Sequence, residues 1–461
     1  MITNHLCRTV HLKVTPKGDN SHYEFLGIPF AQPPVGRLRF MAPQPVRPWP
    51  QVLEAFEDGA ECIQTQSDLE GTGSDFSEDC LTLNVFSNNI GTFRRPLQPV
   101  MVWIHGGGFT QGSKNIYKMK TLLDEDVVLV AMNYRLHALG FLSFGNNLVS
   151  GNMGLKDQQL AIQWIRYNIQ FFGGDPNKIT IFGESAGGVS VAAQVLSPWN
   201  NNILSGAIAQ SGHAMHLHFD DQNKVKEYAK NAAKALDCPT SLDQRTLDSL
   251  QAVPDMQAVL KNYTDADEVQ FSASKDVQFY YWPVIDSYAT NPFLPLDPLE
   301  SLKAGMFNKI PYMSGTVAYE GAMLTGFMRF FGFSGSNILN LIEIPGKTGF
   351  QLNYGQEHQG MFNKVALDFY NHTTGGDSLF EQEKPAVDFS TDVNFLSADQ
   401  KTVELMSKHM THVYNYHLTQ PTKNSFLMKD LGLTIEYTPL HADDLIFQIS
   451  ETSISNIARC S

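Results

Sequence analysis

Gly183-Glu184-Ser185-Ala186-Gly187 follows the apolar, strand-like run Ile179-Thr180-Ile181-Phe182 and opens a helix-like run of small residues, Gly188-Val189-Ser190-Val191-Ala192-Ala193. A strand, then Gly-x-Ser-x-Gly, then a helix is the sequence form of a nucleophile elbow. The serine of such a turn takes a strained backbone, and the flanking glycines let strand and helix pass close behind it. The helix then directs its first N–H groups at negative charge forming beside that serine. The pentapeptide by itself also fits an ordinary strand-to-helix turn; its flanks favour the elbow.

A second motif points the same way. Val100-Met101-Val102-Trp103-Ile104 reads as a buried strand and runs into His105-Gly106-Gly107-Gly108-Phe109. Three consecutive glycines after a strand turn backbone N–H groups outward with no side chain in the way. Acyl transfer needs such donors, because its tetrahedral intermediate carries charge on the former carbonyl oxygen. Gly107 and Gly108 are the expected donors, with Ala186, the residue after the serine, as a third. Alone, the glycines would also suit a flexible surface loop.

At 461 residues the chain has the length of about three average domains, yet large α/β enzymes often run as one. No Pro- or Ser-rich linker, charge block or internal repeat divides it, so a single domain spanning 1–461 is expected. A hydrophobic content of 43% and a charged content of 17% suit a chain with a large core. The formal net charge of −14 argues against nucleic acid and anionic membrane surfaces as partners. No apolar run approaches the roughly 20 residues of a membrane span. Met1–Arg8 lacks the apolar core of a signal peptide, so the chain as written is expected in the cytoplasm, or secreted if its N-terminus is incomplete. The sequons Asn262-Tyr263-Thr264 and Asn371-His372-Thr373 hint at a secretory history. Of the five cysteines, Cys62 and Cys80 enclose a polar loop of the kind a disulfide closes, and such a bridge would persist in an oxidising compartment. An odd count leaves a thiol free among Cys7, Cys238 and Cys460 if that pair forms. No Cys/His cluster has zinc spacing, and neither metal nor organic cofactor is implied.

Further along, strands and helices alternate. Strands are expected at Val127–Met132, Ile179–Phe182 and Gly206–Gln210, and an amphipathic helix from Asp157 to Phe172, stopped by Gly173-Gly174-Asp175-Pro176. Continuous apolar strands between helices indicate a mostly parallel central sheet with helices on both faces, the α/β class. Ligands bind at the carboxyl ends of such strands, where both motifs lie. Val225 to about Leu260 reads as a polar helical insertion over the active site.

A serine nucleophile needs a base, and the base needs an orienting carboxylate. Of the fourteen histidines, the late ones are His358, His372, His409, His412, His417 and His441. His409, His412 and His417 lie in or near a strand-like run and read as structural. His441 heads a loop-then-helix sequence, His441-Ala442-Asp443-Asp444-Leu445-Ile446-Phe447, which suits a base just past the last strand. Among 47 carboxylates, Glu320 stands out on a turn after Pro311-Tyr312-Met313-Ser314-Gly315 and before Gly321. A solvated surface glutamate is the alternative there.

Taken together, these residues resemble the type B carboxylesterase/lipase family, the carboxylesterase and cholinesterase-like branch of the α/β-hydrolases, with wording most like insect carboxylesterases. The resemblance runs from about Tyr23 to Phe447, through Phe25–Ala31, Pro33–Phe40, Glu78–Val85, Asn133–Leu136, Gly151–Gln158 and Phe172–Pro176. It implies Ser185, Glu320 and His441 as the triad, and Gly107, Gly108 and Ala186 as the oxyanion hole. It also implies Glu184 and Ser211 beside the triad, a Cys62–Cys80 disulfide, and the ion pairs Arg39–Glu78 and Arg135–Asp157. The Cys62–Cys80 loop lacks the tryptophan that binds choline, and the elbow has Glu184 where moth juvenile hormone esterases carry Gln. His137 stands where the family has glycine, and His218 where many members have tryptophan. Family members continue well beyond the histidine, whereas twenty residues follow His441, so a truncated form is expected.

The function expected is hydrolysis of hydrophobic carboxylic esters through a serine acyl-enzyme, with a small-molecule ester as partner. The aromatic run Phe327–Phe333 suggests an apolar pocket wall; ordinary core packing is the other reading. The alternatives are a non-catalytic binding or adhesion protein on the same fold and an inactive truncated isoform.

Overall fold

The computed structural model describes residues 12–13, 22–49, 52–64, 76–88, 90, 96–117, 120–216, 222–256, 282–323, 325–326, 369–370, 378–421, 425, 433 and 435–447. Both sequons, the run Phe327–Phe333, His218, His358, His372, Cys7, Cys460 and the C-terminal Ser453–Ser461 lie outside them.

Eight strands form the central sheet: β1 Tyr23–Pro29, β2 Thr82–Ser87, β3 Gln98–Ile104, β4 Val128–Met132, β5 Gly174–Glu184, β6 Gly206–Gln210, β7 Tyr312–Val317 and β8 Val413–Leu418. Their spatial order is β8-β7-β6-β5-β3-β4-β2-β1. All neighbours from β8 to β4 are parallel; β2 runs antiparallel to β4, and β1 antiparallel to β2. The helices are α1 His137–Phe141, α2 Met153–Asn168, α3 Ala186–Leu196, α4 Gln222–Ala235, α5 Gln244–Gln251, α6 Pro298–Ala304, α7 Leu379–Ser390 and α8 Ser397–Ser407. A π-helical turn, Thr391–Leu396, joins α7 to α8.

Strand alternation explains why the central strands read as unbroken apolar runs. Successive side chains point to opposite faces. Val100, Val102 and Ile104 of β3, Val128, Val130 and Met132 of β4, and Ile179 and Ile181 of β5 enter one core, shared with α2 and α3. Trp103, Leu129, Ala131 and Phe182 enter a second core on the other face, with Ala442 and Leu445.

Two boundaries differ from the sequence expectation. The helix expected from Asp157 begins at Met153, because Asn152 turns at φ 62° and its carbonyl accepts from Lys156 N–H, while Asp157 binds Arg135 instead of capping. Its last turn, Ile169–Phe172, is a 3₁₀ helix, closed by Gly173 at φ 85°. β5 extends back to Gly174, which pairs with Gln98; the ladder then shifts register and resumes at Ile179 opposite Val100, so polar Asp175–Lys178 falls within the strand as an irregular stretch without register partners on β3. The insertion resolves into α4 and α5, and the carbonyls of Leu250, Gln251 and Val253 at the end of α5 are gripped by Arg39. Arg39 and Arg135 make the expected pairs: Arg39 Nε donates to Glu78 Oε2 at 2.6 Å and Arg135 Nε to Asp157 Oδ2 at 2.8 Å. Cys62 and Cys80 are disulfide-bonded, and Cys238 is a free thiol. Among the described residues no helix is long and apolar enough to cross a membrane.

Candidate active site

Ser185 sits between β5 and α3 with φ 57° and ψ −125°, a conformation costly for any residue with a Cβ. Two bonds hold it there: Ser185 N–H donates to Gln210 C=O, and Ser185 C=O accepts from Val189 N–H, each at 2.9 Å. The flanking glycines are needed for close approach. A Cβ at Gly187 would lie 2.1 Å from the Ile104 carbonyl oxygen, and one at Gly183 would lie 2.6 Å from the same atom. The elbow therefore rests directly on the end of β3.

That contact also places the glycine loop. A Cβ on Gly106 would meet Ser185 Cβ at 3.1 Å, and Gly107 and Gly108 follow with φ 106° and 61°, conformations that glycine adopts freely. Phe109 C=O accepts from His137 N–H at 2.7 Å. His137 itself has φ 52°, which explains physically why glycine suits this position.

Glu320 follows β7 on a tight turn and is buried, so the surface-glutamate alternative is excluded. Its Oε1 accepts from Val317 N–H at 2.9 Å, and its Oε2 lies 2.6 Å from His441 Nδ1. The loops bearing the two residues are stitched together: Tyr319 and Leu440 form a parallel bridge, with Tyr319 N–H donating to Pro439 C=O. His441 is buried; its Nε2 lies 3.0 Å from Glu184 Oε1, without the alignment of a hydrogen bond. The other late histidines within the described residues are engaged elsewhere: His417 with Thr316 Oγ1, His409 with Lys303 C=O and His412 with Thr411 Oγ1.

The electrostatics centre on His441. Burial alone would push its pKa down, but the carboxylates of Glu184, Glu320 and Asp444 overcome that and hold it above the ordinary imidazole range. Glu184 is pushed up, chiefly by burial and further by Asp444 and Glu320, with His441 opposing. The two groups compete for one proton and titrate as a pair. Nearby His213 is driven down to about 3 by burial and stays neutral.

Some neighbours carried no signal in the sequence. Asp444 Oδ2 accepts from Gln210 Nε2 at 2.9 Å and from Tyr416 OH. Phe109, Trp282, His216 and Phe395 form an aromatic wall: Phe109 packs edge-on against Trp282, Trp282 Nε1 donates to His216 C=O, and Phe395 lies against both His216 and His441. The Asp443-Asp444 doublet after His441 is the one local hint of the extra carboxylate. Ser211 has φ 51° and its N–H donates to Gly315 C=O; its buried Oγ makes no hydrogen bond to a described residue. A Cβ on the next residue, Gly212, would lie 2.1 Å from Ser185 C=O, so this segment passes against the elbow. Among the described residues no group of three or more His, Cys, Asp or Glu is placed to hold a metal ion.

Comparison with known proteins identifies the family. The sequence profile of the carboxylesterase family matches residues 11–458. Venom carboxylesterase-6 of Apis mellifera is 31% identical over 96% of this chain and 79% of its own. A carboxylic ester hydrolase of Bombus ignitus is 34% identical over 94% of this chain and 77% of its own. Juvenile hormone esterase of Tribolium castaneum is also 34% identical, over 94% of this chain and 75% of its own, so identity alone does not separate these activities.

Proposed function

This chain belongs to the carboxylesterase family and is a carboxylic ester hydrolase, and we propose from that premise that it cleaves hydrophobic esters through an acyl-enzyme on Ser185. His441, in its neutral form, takes the proton of Ser185 as Oγ attacks the ester carbonyl. Glu320 fixes the ring's tautomer and stabilises the imidazolium that forms. The N–H groups of Gly107, Gly108 and Ala186 receive the oxyanion. His441 then returns the proton to the leaving alcohol, and a water molecule repeats the sequence on the acyl-enzyme, releasing the acid.

The observation that carries this reading is the buried Glu320 Oε2–His441 Nδ1 contact of 2.6 Å, stitched beside the strained serine. The half-buried rings of Phe395 beside His441 and Trp282 beside His216 support apolar substrates. The Cys62–Cys80 bridge supports work in an oxidising compartment.

An organophosphate activity probe on the purified protein, beside Ser185→Ala, tests the chemistry. Labelling mapped to Ser185 and absent in the variant is expected, with kcat of the variant down by about 10⁴–10⁶. Folded protein that takes up no label would favour the binding-protein reading instead. In a series of esters lengthening from acetate, kcat/KM should rise about fourfold per methylene until the pocket is filled; a flat series would refute the apolar preference.

A further inference from the structure

We propose that the π-helical turn Thr391–Leu396 is the positioning brace of the Glu320–His441 pair: the Thr391 hydroxyl sets the turn that carries the acid, and the Phe395 ring limits the tilt of the base. This rests on the reading of Glu320 as the orienting acid and His441 as the base.

At one end the turn holds the acid. Thr391 Oγ1 accepts from Gly321 N–H, the residue after Glu320, at 2.9 Å, and Thr391 is buried. The approach is so close that only glycine fits: a Cβ at Gly321 would lie 2.3 Å from Val387 C=O, 2.7 Å from Ser390 Cβ and 2.9 Å from Thr391 N. The acid's turn is thus docked on the junction between α7 and the π turn. At the other end, four residues on, Phe395 places its ring 5.3 Å from that of His441 at 57°, and 5.4 Å from that of His216 at 63°. His216 is in turn fixed by Asn394 C=O at Nε2 and by His213 N–H at Nδ1. The turn is knitted internally by Ser397 Oγ donating to Val393 C=O and Asn394 Nδ2 donating to Ser390 Oγ. π turns inserted between α-helices often occur at functional sites. Here one holds the residue after the acid through the Thr391 hydroxyl and meets the base through the Phe395 ring.

Such a brace matters because an acid and base on separate loops lose effectiveness steeply with small displacements, about 10²-fold for 1 Å. Loosening the Glu320 contact also weakens the hold on the imidazolium, against a background set by Glu184 at the end of β5, Asp444 on the base's own turn and neutral His213 after β6.

The test compares full-length wild type with Thr391→Val, Thr391→Ser, Phe395→Leu and Glu320→Gln, measuring kcat, KM, the pH profile of kcat/KM and the thermal melt. Thr391→Val should lower kcat about tenfold with KM unchanged, and move the acid limb about half a pH unit lower. Thr391→Ser, which keeps the hydroxyl, should restore both. Phe395→Leu should move the limb in the same direction, and carries the test if Thr391→Val does not fold. If Glu320→Gln abolishes activity while Thr391→Val and Phe395→Leu keep wild-type kcat and pH profile, whatever their melts, the brace is overturned and the acid stands. If Glu320→Gln is fully active, it is the reading of Glu320 that fails.

Discussion

Ser185, at φ 57° and ψ −125°, and His441, ringed by three carboxylates, show how much of this site is decided at single residues. The carboxylates favour the imidazolium, so His441 loses its proton at higher pH than a free imidazole would. Glu184 is the neighbour whose charge contributes most to that rise. Replacing it by Gln removes a negative charge 3.0 Å from Nε2, lowers the apparent pKa, and leaves the base neutral to lower pH. The acid limb of kcat/KM for Glu184→Gln should therefore move down, read directly from a pH–rate profile. A limb that stays put or moves up would contradict this electrostatic picture. Removing a single oxyanion donor would be felt differently, as a loss of about 10²–10³ in kcat with the pH profile retained.

Among the elements, β3, β5 and α3 cross in close backbone contact. Ile104 C=O occupies the space that a side chain at Gly183 or Gly187 would need. Gly187→Ala is expected to cost about 1–3 kcal/mol of stability or more, seen as a lower melting temperature, and to slow probe labelling by shifting the serine. The long helical rod α7–π–α8 begins with a capping box, in which Ser378 and Glu381 satisfy each other's backbone N–H groups. Ser378→Ala should cost about 1 kcal/mol, detectable by chemical denaturation, with kcat unchanged because the cap lies at the start of α7, the whole length of that helix away from Thr391.

For the molecule as a whole, among the described residues two apolar cores on opposite faces of one sheet and a third cluster of Ala322, Val387, Leu433, Tyr437 and Leu440 supply the stability, and a few polar anchors fix the loops around the site. Arg135, just after β4, is bound to Asp157 of α2 in full burial. Asp157→Ala would leave the guanidinium uncompensated and should cost about 3–5 kcal/mol, measured by urea unfolding. The Cys62–Cys80 bridge spans 18 residues. A Cys62→Ser/Cys80→Ser double variant should lose about 3 kcal/mol through the freed entropy of the unfolded chain, while ester hydrolysis persists in whatever fraction remains folded.

Sequence by itself determined the elbow, the glycine loop and the alternation of apolar strands with helices. Each is a short-range pattern imposed by local backbone geometry or by burial on two faces. His441, expected just past the last strand, lies well beyond the end of β8 at Leu418. Tertiary structure decided what depends on distant segments meeting. Glu320 is one of 47 carboxylates and became distinct only when its turn came within 2.6 Å of a histidine 121 positions away. Asp157 reads as the start of a helix, yet a buried guanidinium claims it and the helix begins four residues earlier. Polar Asp175–Lys178 reads as loop and falls inside β5 because Gly174 before it pairs with Gln98 and Ile179 after it with Val100, the residues between lying out of register opposite Pro99. Thr391 and Phe395 carry no motif; their contacts with Gly321 and His441 arise where a helical rod passes the ends of two loops, which no local spacing encodes.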